Sequence, residues 1–368
     1  MEAIHERLLA WFDAHKRDLP WRGAGDPYAV WISEVMLQQT RAAFVAPYYR
    51  RWMERFPDVG TLADADLEEV LRLWRGLGYY ARARNAHRCA RQVRDEHGGE
   101  FPPSADRLIA LPGIGPYTAA AVASIAFGEA VPAVDGNVRR VVARLFDLPD
   151  PSLAQVRDLA AERMDRTRPG DFNEAMMELG ATVCMPRSPK CGACPLAAGC
   201  RARAAGTAAE RPLRRKPRPV PTRTWDVQVA VSPRGRTLVL RRAREGLLGG
   251  MWEFPAVEVE DGADRGGRPM KVAEPAVGGA GDGARAPAPR SMQVAEPAAG
   301  AVMALPPVTH RFSHFTAVYR PRRVEVAAEW GEAAGRWVTP SELADLPLPV
   351  YEAARTRFVG QEETQWGA

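Results

Sequence analysis

From Ile4 to about Val183 the apolar residues return at intervals of three and four. Leu67, Val70, Leu71 and Trp74 make one such face, and Val138, Val141, Val142 and Leu145 another, the spacing that lines side chains along one side of an α-helix. Breakers at Phe56-Pro57, Gly98-Gly99 and Leu148-Pro149 cut this run into separate helices. Beyond residue 222 the period changes. Trp225 to Val231 alternates, Arg234-Gly235 supplies a turn and Thr237 to Leu240 resumes the alternation, which predicts a β-hairpin. Phe315 to Tyr319 and Val324 to Val326 read as further strands, and Ser341 to Leu346 as a short helix. The pattern predicts a multidomain chain, with an all-α domain over 1–204 and an α+β domain over 225–358. Between them, 205–224 is a linker of Ala, Pro and Arg carrying Arg211, Arg214, Arg215, Lys216 and Arg218. Residues 261–301 are Gly, Ala and Pro, with Met270 to Ala276 nearly repeated as Met292 to Ala298; a disordered insertion is expected there.

At 368 residues, 46% of them hydrophobic, the chain can bury two cores of ordinary size. Its net charge of +5 comes from arginine far more than lysine and favours a polyanionic partner such as nucleic acid. The longest strongly apolar stretch, Thr118 to Phe127, is too short to cross a bilayer, and Met1 to Glu6 lacks the pattern of a secretory signal, so no membrane association and an intracellular setting are expected.

Four of the five cysteines, Cys184, Cys191, Cys194 and Cys200, crowd into a loop that also holds Pro186, Pro189 and Pro195. In a reducing compartment such crowding points to a metal centre instead of disulfides; the spacing alone suits zinc and a 4Fe–4S cluster equally. Cys89 stands apart and reads as a buried small hydrophobe.

Leu111 to Ala119 sets Gly113 and Gly115 in a tight turn before Pro116. Glycines allow close backbone approach, and the N–H groups that open the next helix can hold a phosphate; an ordinary helix–helix turn is the plainer reading. Glu34 lies in the apolar helical stretch Trp31 to Thr40, where desolvation would raise its pKa and suit it to general acid work. Asp135, in Val131 to Val138, sits just ahead of a helix, as an N-cap or as a second carboxylate in an unlike environment.

Taken together, Leu19-Pro20-Trp21-Arg22, the Glu34 segment, Gly78 to Asn85, the hairpin, Val134 to Asn137, Phe172 to Gly180 and the four cysteines resemble the adenine DNA glycosylase (MutY) family over residues 4 to 200. The resemblance implies a helix-hairpin-helix glycosylase fold and settles the metal as one 4Fe–4S cluster on Cys184, Cys191, Cys194 and Cys200. It implies excision of adenine opposite 8-oxoguanine or guanine in double-stranded DNA, by a monomer; the many Ala, Arg and Gly residues point to a high-GC bacterial genome, so work in a bacterial cytoplasm, at the nucleoid, is expected. Glu34 would protonate adenine and Asp135 would stabilise the oxocarbenium-like sugar, with Tyr117 and Asn137 placing the groups. Arg17, Trp21, Arg22, Leu37 and Glu174 would line the adenine pocket, and Gln39 and Tyr80 would wedge the base stack. Endonuclease III, in the same superfamily, carries a lysine nucleophile after the hairpin where this chain has Tyr117, so a monofunctional enzyme without lyase activity is implied. In the second domain Gly249 to Pro255 resembles a Nudix-fold segment, while the low-complexity insertion stands where a magnesium-binding helix would be; a binding module without hydrolase activity is implied. Phe312, Ser313 and His314 are similar to the family's 8-oxoguanine-reading loop.

Overall fold

The computed structural model describes residues 4–213, 219–243, 246–259, 271–273, 291–293, 302–329 and 335–349. The chain divides into two compact units, Met1–Ala65 with Arg82–Pro217, and Asp66–Ala81 with Arg218–Ala368.

The first unit is helical: α1 Ile4–His15, α2 Pro27–Leu37, α3 Ala42–Arg55 and α4 Val59–Asp64, then, beyond α5 (Leu67–Trp74), α6 Ala81–His97, α7 Ala105–Leu108, α8 Pro116–Phe127, α9 Gly136–Leu145, α10 Leu153–Ala161, α11 Pro169–Thr182 and α12 Arg201–Ala204. Leu8 and Phe12 of α1, Val138 and Val142 of α9, and Phe172, Met176 and Leu179 of α11 share one core. Helix α2 is unlike the amphipathic helices around it, since every residue from Tyr28 to Met36 is buried. A helix covered all round must be apolar all round, which is how its sequence reads. Its start is set by the Asp26 side chain, which accepts the Tyr28 and Ala29 N–H groups at 3.3 and 3.0 Å, and by Pro27 in its first turn. Two glycines permit close packing. Gly113 has φ +77° and a Cβ there would lie 2.5 Å from Asn85 Cβ, while a Cβ on Gly180 would lie 2.5 Å from Asn137 Cβ.

The second unit holds a mixed sheet of strands β1 Thr222–Val231, β2 Thr237–Arg241, β3 Trp252–Glu253, β4 Ala256–Val259, β7 Val302–Ala304, β8 Val308–Arg311, β9 Thr316–Glu325 and β10 Arg336–Val338, in the path β10-β2-β1-β9-β7. The expected hairpin is present, with Val231 opposite Thr237. The two strands expected near 315–326 are one strand, β9, which pairs in parallel with β1 from Thr222↔Thr316 to Val231↔Glu325. Pro321 is tolerated because β8 pairs with 316–319 and β7 with 322–324, so its missing N–H falls between them. The predicted short helix is α13 Pro340–Asp345, opened by a capping box of Thr339 and Glu342. The segment Asp66–Ala81, which periodicity assigns to the helical half, groups with this unit, where Arg75 donates to the Ala344 carbonyl at 2.7 Å. Within the expected disordered insertion, the described residues form two short strands, β5 Lys271–Ala273 and β6 Ser291–Gln293, paired antiparallel; these fall in or beside the two copies of the repeat. The rest of the insertion, the linker residues Arg214, Arg215, Lys216 and Arg218, and 350–358 lie outside the described residues. No helix among the described residues is long and apolar enough to cross a membrane.

Candidate active site

Glu34 is 5% exposed on the buried helix α2. Its carboxyl is pushed up to about 7, first by burial and then by the charges of Glu174 and Asp135; the Tyr117 hydrogen bond and the Arg22 charge pull the other way. Tyr117, in the first turn of α8, donates its hydroxyl to Glu34 Oε2 at 2.5 Å, and the same oxygen lies 3.0 Å from Met177 Sδ on α11. Burial and the neighbouring carboxylates hold the phenol protonated, well above its ordinary value.

Asp135 proves to be both a cap and a member of this group. Its Oδ1 accepts the Val138 N–H at 2.7 Å and Oδ2 accepts Asn137 Nδ2 at 2.7 Å. Burial raises its pKa against the pull of these donors. The two carboxylates therefore differ in kind: Glu34 is desolvated and faces one donor, whereas Asp135 is held by a helix N-terminus and an amide. Asn137 is fixed in turn by Arg140, whose Nη2 donates to Asn137 Oδ1 at 2.7 Å and to the Gly180 carbonyl at 2.8 Å.

Around this pair the expected pocket residues divide. Arg22 and Glu174 form an ion pair at 2.7 Å, both largely buried. Arg17 is exposed, but pairs with the buried Glu178 at 2.5 Å. Trp21 packs edge-on against Tyr49 in the core, with ring centroids 5.5 Å apart. Leu37 is half-buried at the end of α2. Beyond it, Arg82 Nη1 donates to the carbonyls of Val35, Met36 and Gln38 at 2.8, 3.0 and 2.8 Å, closing the helix end. Gln39 follows, exposed and with φ +58°.

Tyr80 requires a correction. Its side chain is buried at 4% exposure, with the hydroxyl on the Gly76 N–H, while the adjacent Tyr79 is 49% exposed at φ +49°. A ring seated in a core cannot enter a duplex without vacating that seat; the accessible ring is Tyr79. The dipeptide repeats one residue type, so no sequence signal separates the two. Glu178, Met177 and Arg140 also brace this group and Arg82 the end of α2, none of them singled out by residue type alone. Arg82, Met177 and Glu178 fall inside segments that carry the resemblance, and Glu178 adds a signal of its own, lying one helical turn from Glu174; Arg140 has none.

Gly113 and Gly115 form the turn between α7 and α8, Gly115 being the N-cap residue of α8 with open space where a Cβ would be. Cys184, Cys191, Cys194 and Cys200 line one cavity together with Arg144, Lys190 and Arg203. Arg144 is buried and donates to Cys184 Sγ at 3.3 Å and to the carbonyls of Cys184, Met185 and Pro186 at 2.8–3.2 Å. Four soft sulfur donors ringed by cations suit an anionic iron–thiolate centre. In the second unit, Ser313 and His314 are exposed at the tip of the β8–β9 hairpin, Ser313 Oγ lying 3.3 Å from His314 Nδ1, and Phe312 stacks on Phe315 at 4.6 Å.

Residues 32–166 match the HhH-GPD superfamily of base excision DNA repair proteins, 184–200 the iron–sulfur binding domain of endonuclease III, and 227–353 the NUDIX domain. The chain thus carries an iron–sulfur domain with one 4Fe–4S cluster and a Nudix-like second unit. A thermostable thymine-DNA glycosylase of known structure is similar at 29% identity and a TM-score of 0.52, over 55% of this chain and 95% of that one. The human adenine DNA glycosylase is 42% identical over 316 residues, 70% of this chain and 58% of its own length, so the chain spans under two thirds of that relative. The adenine DNA glycosylase of Mycolicibacterium smegmatis is 47% identical over 213 residues, 56% of this chain and 72% of its own length. With a buried acid, a capped aspartate and a four-cysteine loop carried on the matching segments, the chain belongs to the adenine DNA glycosylase family.

Proposed function

We propose that the protein is a monofunctional, monomeric glycosylase that hydrolyses the N-glycosidic bond of adenine mispaired with 8-oxoguanine or guanine in duplex DNA, leaving an abasic site. The observation that carries this is the burial of Glu34 beside Tyr117: a carboxyl pushed up to about 7 can still donate a proton near neutrality, where an ordinary glutamate would be spent. Adenine within a duplex is out of reach, so the nucleotide is flipped; the exposed Gln39 offers a side chain to the gap, the exposed Tyr79 a ring that can stack on bases, and the Gly113–Gly115 turn holds backbone phosphate at the start of α8.

The flipped base meets Glu34, which protonates its imidazole ring and turns a poor anionic leaving group into a neutral one. Tyr117, donating to Glu34 Oε2, orients the acid. Asp135, kept in place by Val138 N–H and Asn137, faces the developing positive charge of the sugar as an electrostatic or transient covalent partner. Where a lyase would present an amine, this chain presents the Tyr117 phenol, so no Schiff base forms. Cys184, Cys191, Cys194 and Cys200 are the ligands of the cluster. When bound, the cluster ties the 184–200 loop into one rigid body that presents Arg187 and Lys190 to phosphates. Ser313 and His314, at an exposed hairpin tip backed by stacked aromatics, read 8-oxoguanine. The protein works in the bacterial cytoplasm, at the nucleoid.

The test is single-turnover adenine release from duplexes with A opposite 8-oxoguanine, G or T, for wild type and Glu34→Gln, with abasic sites revealed by alkali. Release from the first two, reduced at least ~10²-fold in the variant, is expected. No release, or strand cleavage without alkali, overturns the reading.

A further inference from the structure

Glu178 is a carboxylate that the mechanism above does not use, in a place where an unneeded charge is costly. Its side chain is 2% exposed on α11, and a buried carboxylate survives only if it is paired and hydrogen-bonded. It accepts Arg17 Nε at 2.5 Å and Arg17 Nη2 at 3.0 Å, and also Arg22 Nη2 at 2.9 Å. Arg22 gives its other terminal nitrogen to Glu174 at 2.7 Å. The four side chains therefore form a line, Arg17–Glu178–Arg22–Glu174, in which two cations and two anions balance.

The helix supplies the geometry. Glu174 and Glu178 are one turn apart on α11 and so point the same way, and the planar fork of Arg22 spans both. Arg22 Nε is buried and finds no hydrogen-bond partner among the described residues, so its two terminal nitrogens fix the group. The balance matters because Arg22 and Glu174 are two of the charges that face Glu34. Asp135, the cap of α9, is a third, and the neutral Tyr117 of α8 donates to Glu34.

We propose that Glu178 is a positioning residue of the base pocket: its buried carboxylate locks Arg17 and Arg22 in one arrangement and cancels cationic charge that would otherwise bear on Glu34. The role rests on the adenine-excision reading. Without Glu178, Arg17 loses its partner and Arg22 keeps only Glu174. The excess positive charge then favours ionised Glu34, which cannot donate.

The experiment is single-turnover adenine release from an A:8-oxoguanine duplex between pH 5.5 and 9, for wild type, Glu178→Gln, Arg17→Gln and the double variant. The expected result for Glu178→Gln is an alkaline limb about half a unit lower, which slows release at pH 8 by roughly threefold or more. Arg17→Gln moves the limb upward, and the double variant, with charge balance restored, returns it close to wild type. A merely structural role would lower the rate without moving the limbs in opposite directions. Limbs that stay put, or shift the same way, overturn the assignment. Should Glu178→Gln fail to fold, Arg17→Gln, altered at an exposed side chain, decides alone: an upward shift supports the role and no shift overturns it. Wild-type protein that releases no adenine overturns the excision reading and this role together, whereas release with unmoved limbs overturns this role only.

Discussion

Burying Glu34 on α2 costs the fold stability near neutral pH. The carboxyl stands at about 7 in the folded protein against an ordinary 4.5, so the folded state holds this proton more tightly than the unfolded chain does. Its contribution is fully present below the unfolded value of 4.5 and is lost as pH rises through the folded value of about 7. Glu34→Gln keeps the shape and removes the titration. The variant should therefore gain stability over wild type as pH rises from 5 to 8, by on the order of 3 kcal/mol at most. Urea unfolding of both proteins at the two pH values checks this, and parallel pH dependences would rule it out. Asp135 combines two roles that sequence presents as alternatives, since the N-cap hydrogen bond to Val138 also places the carboxylate beside Asn137.

At the scale of elements, one buried helix and the ends of its neighbours position the candidate site. Helix α2 delivers Glu34 from its buried middle and Gln39 from just beyond its end, and Arg82 of α6 closes that end on three carbonyls. The Tyr79–Tyr80 pair shows how one position along the chain separates packing from contact. Tyr80→Ala should destabilise the protein by about 3 kcal/mol or more, as for other buried aromatics. Tyr79→Ala should leave the melting temperature near wild type while weakening binding of an A:8-oxoguanine duplex at least about tenfold, or about 1.4 kcal/mol. Thermal melts and a duplex titration separate the two, and a reversal of these effects would return the wedge to Tyr80. Helix identity in this half is legible from periodicity, because apolar faces repeat within each helix. Which of two adjacent tyrosines faces the core is not, since the two are the same residue type at the start of α6 and only the backbone turn, with φ +49° at Tyr79, sends one ring inward and the other out.

For the whole molecule, α9 joins the group around Glu34 and Asp135 to the four-cysteine loop. Asp135 caps it, Asn137 lies in its first turn, and Arg140 and Arg144 further along donate to the Cys184 carbonyl at 2.7 and 3.1 Å. Loss of a cluster ligand should free the 184–200 loop first and disturb α9 second. Cys191→Ser is expected to weaken duplex binding at least about tenfold, about 1.4 kcal/mol, before it lowers the single-turnover rate at saturating protein. Full affinity and an unchanged melt in that variant would refute a structural role for the cluster.

The sequence by itself determined the helical and mixed units, the β1–β2 hairpin, the Gly113–Gly115 turn, the four-cysteine loop and the family, because periodicity and motif spacing are properties of short stretches. Its domain boundary missed that Asp66–Ala81 groups with the second unit, since membership of a unit is decided by packing between segments distant in the chain. The same holds for chemistry. Glu34 is one glutamate in an apolar run until α8, α9 and α11 surround it, and Arg17 and Glu178 meet across 161 positions of chain. Desolvation and charge pairing depend on which segments the fold brings together, so only the tertiary structure decided which carboxyl is pushed up toward neutrality and which one anchors the arginines.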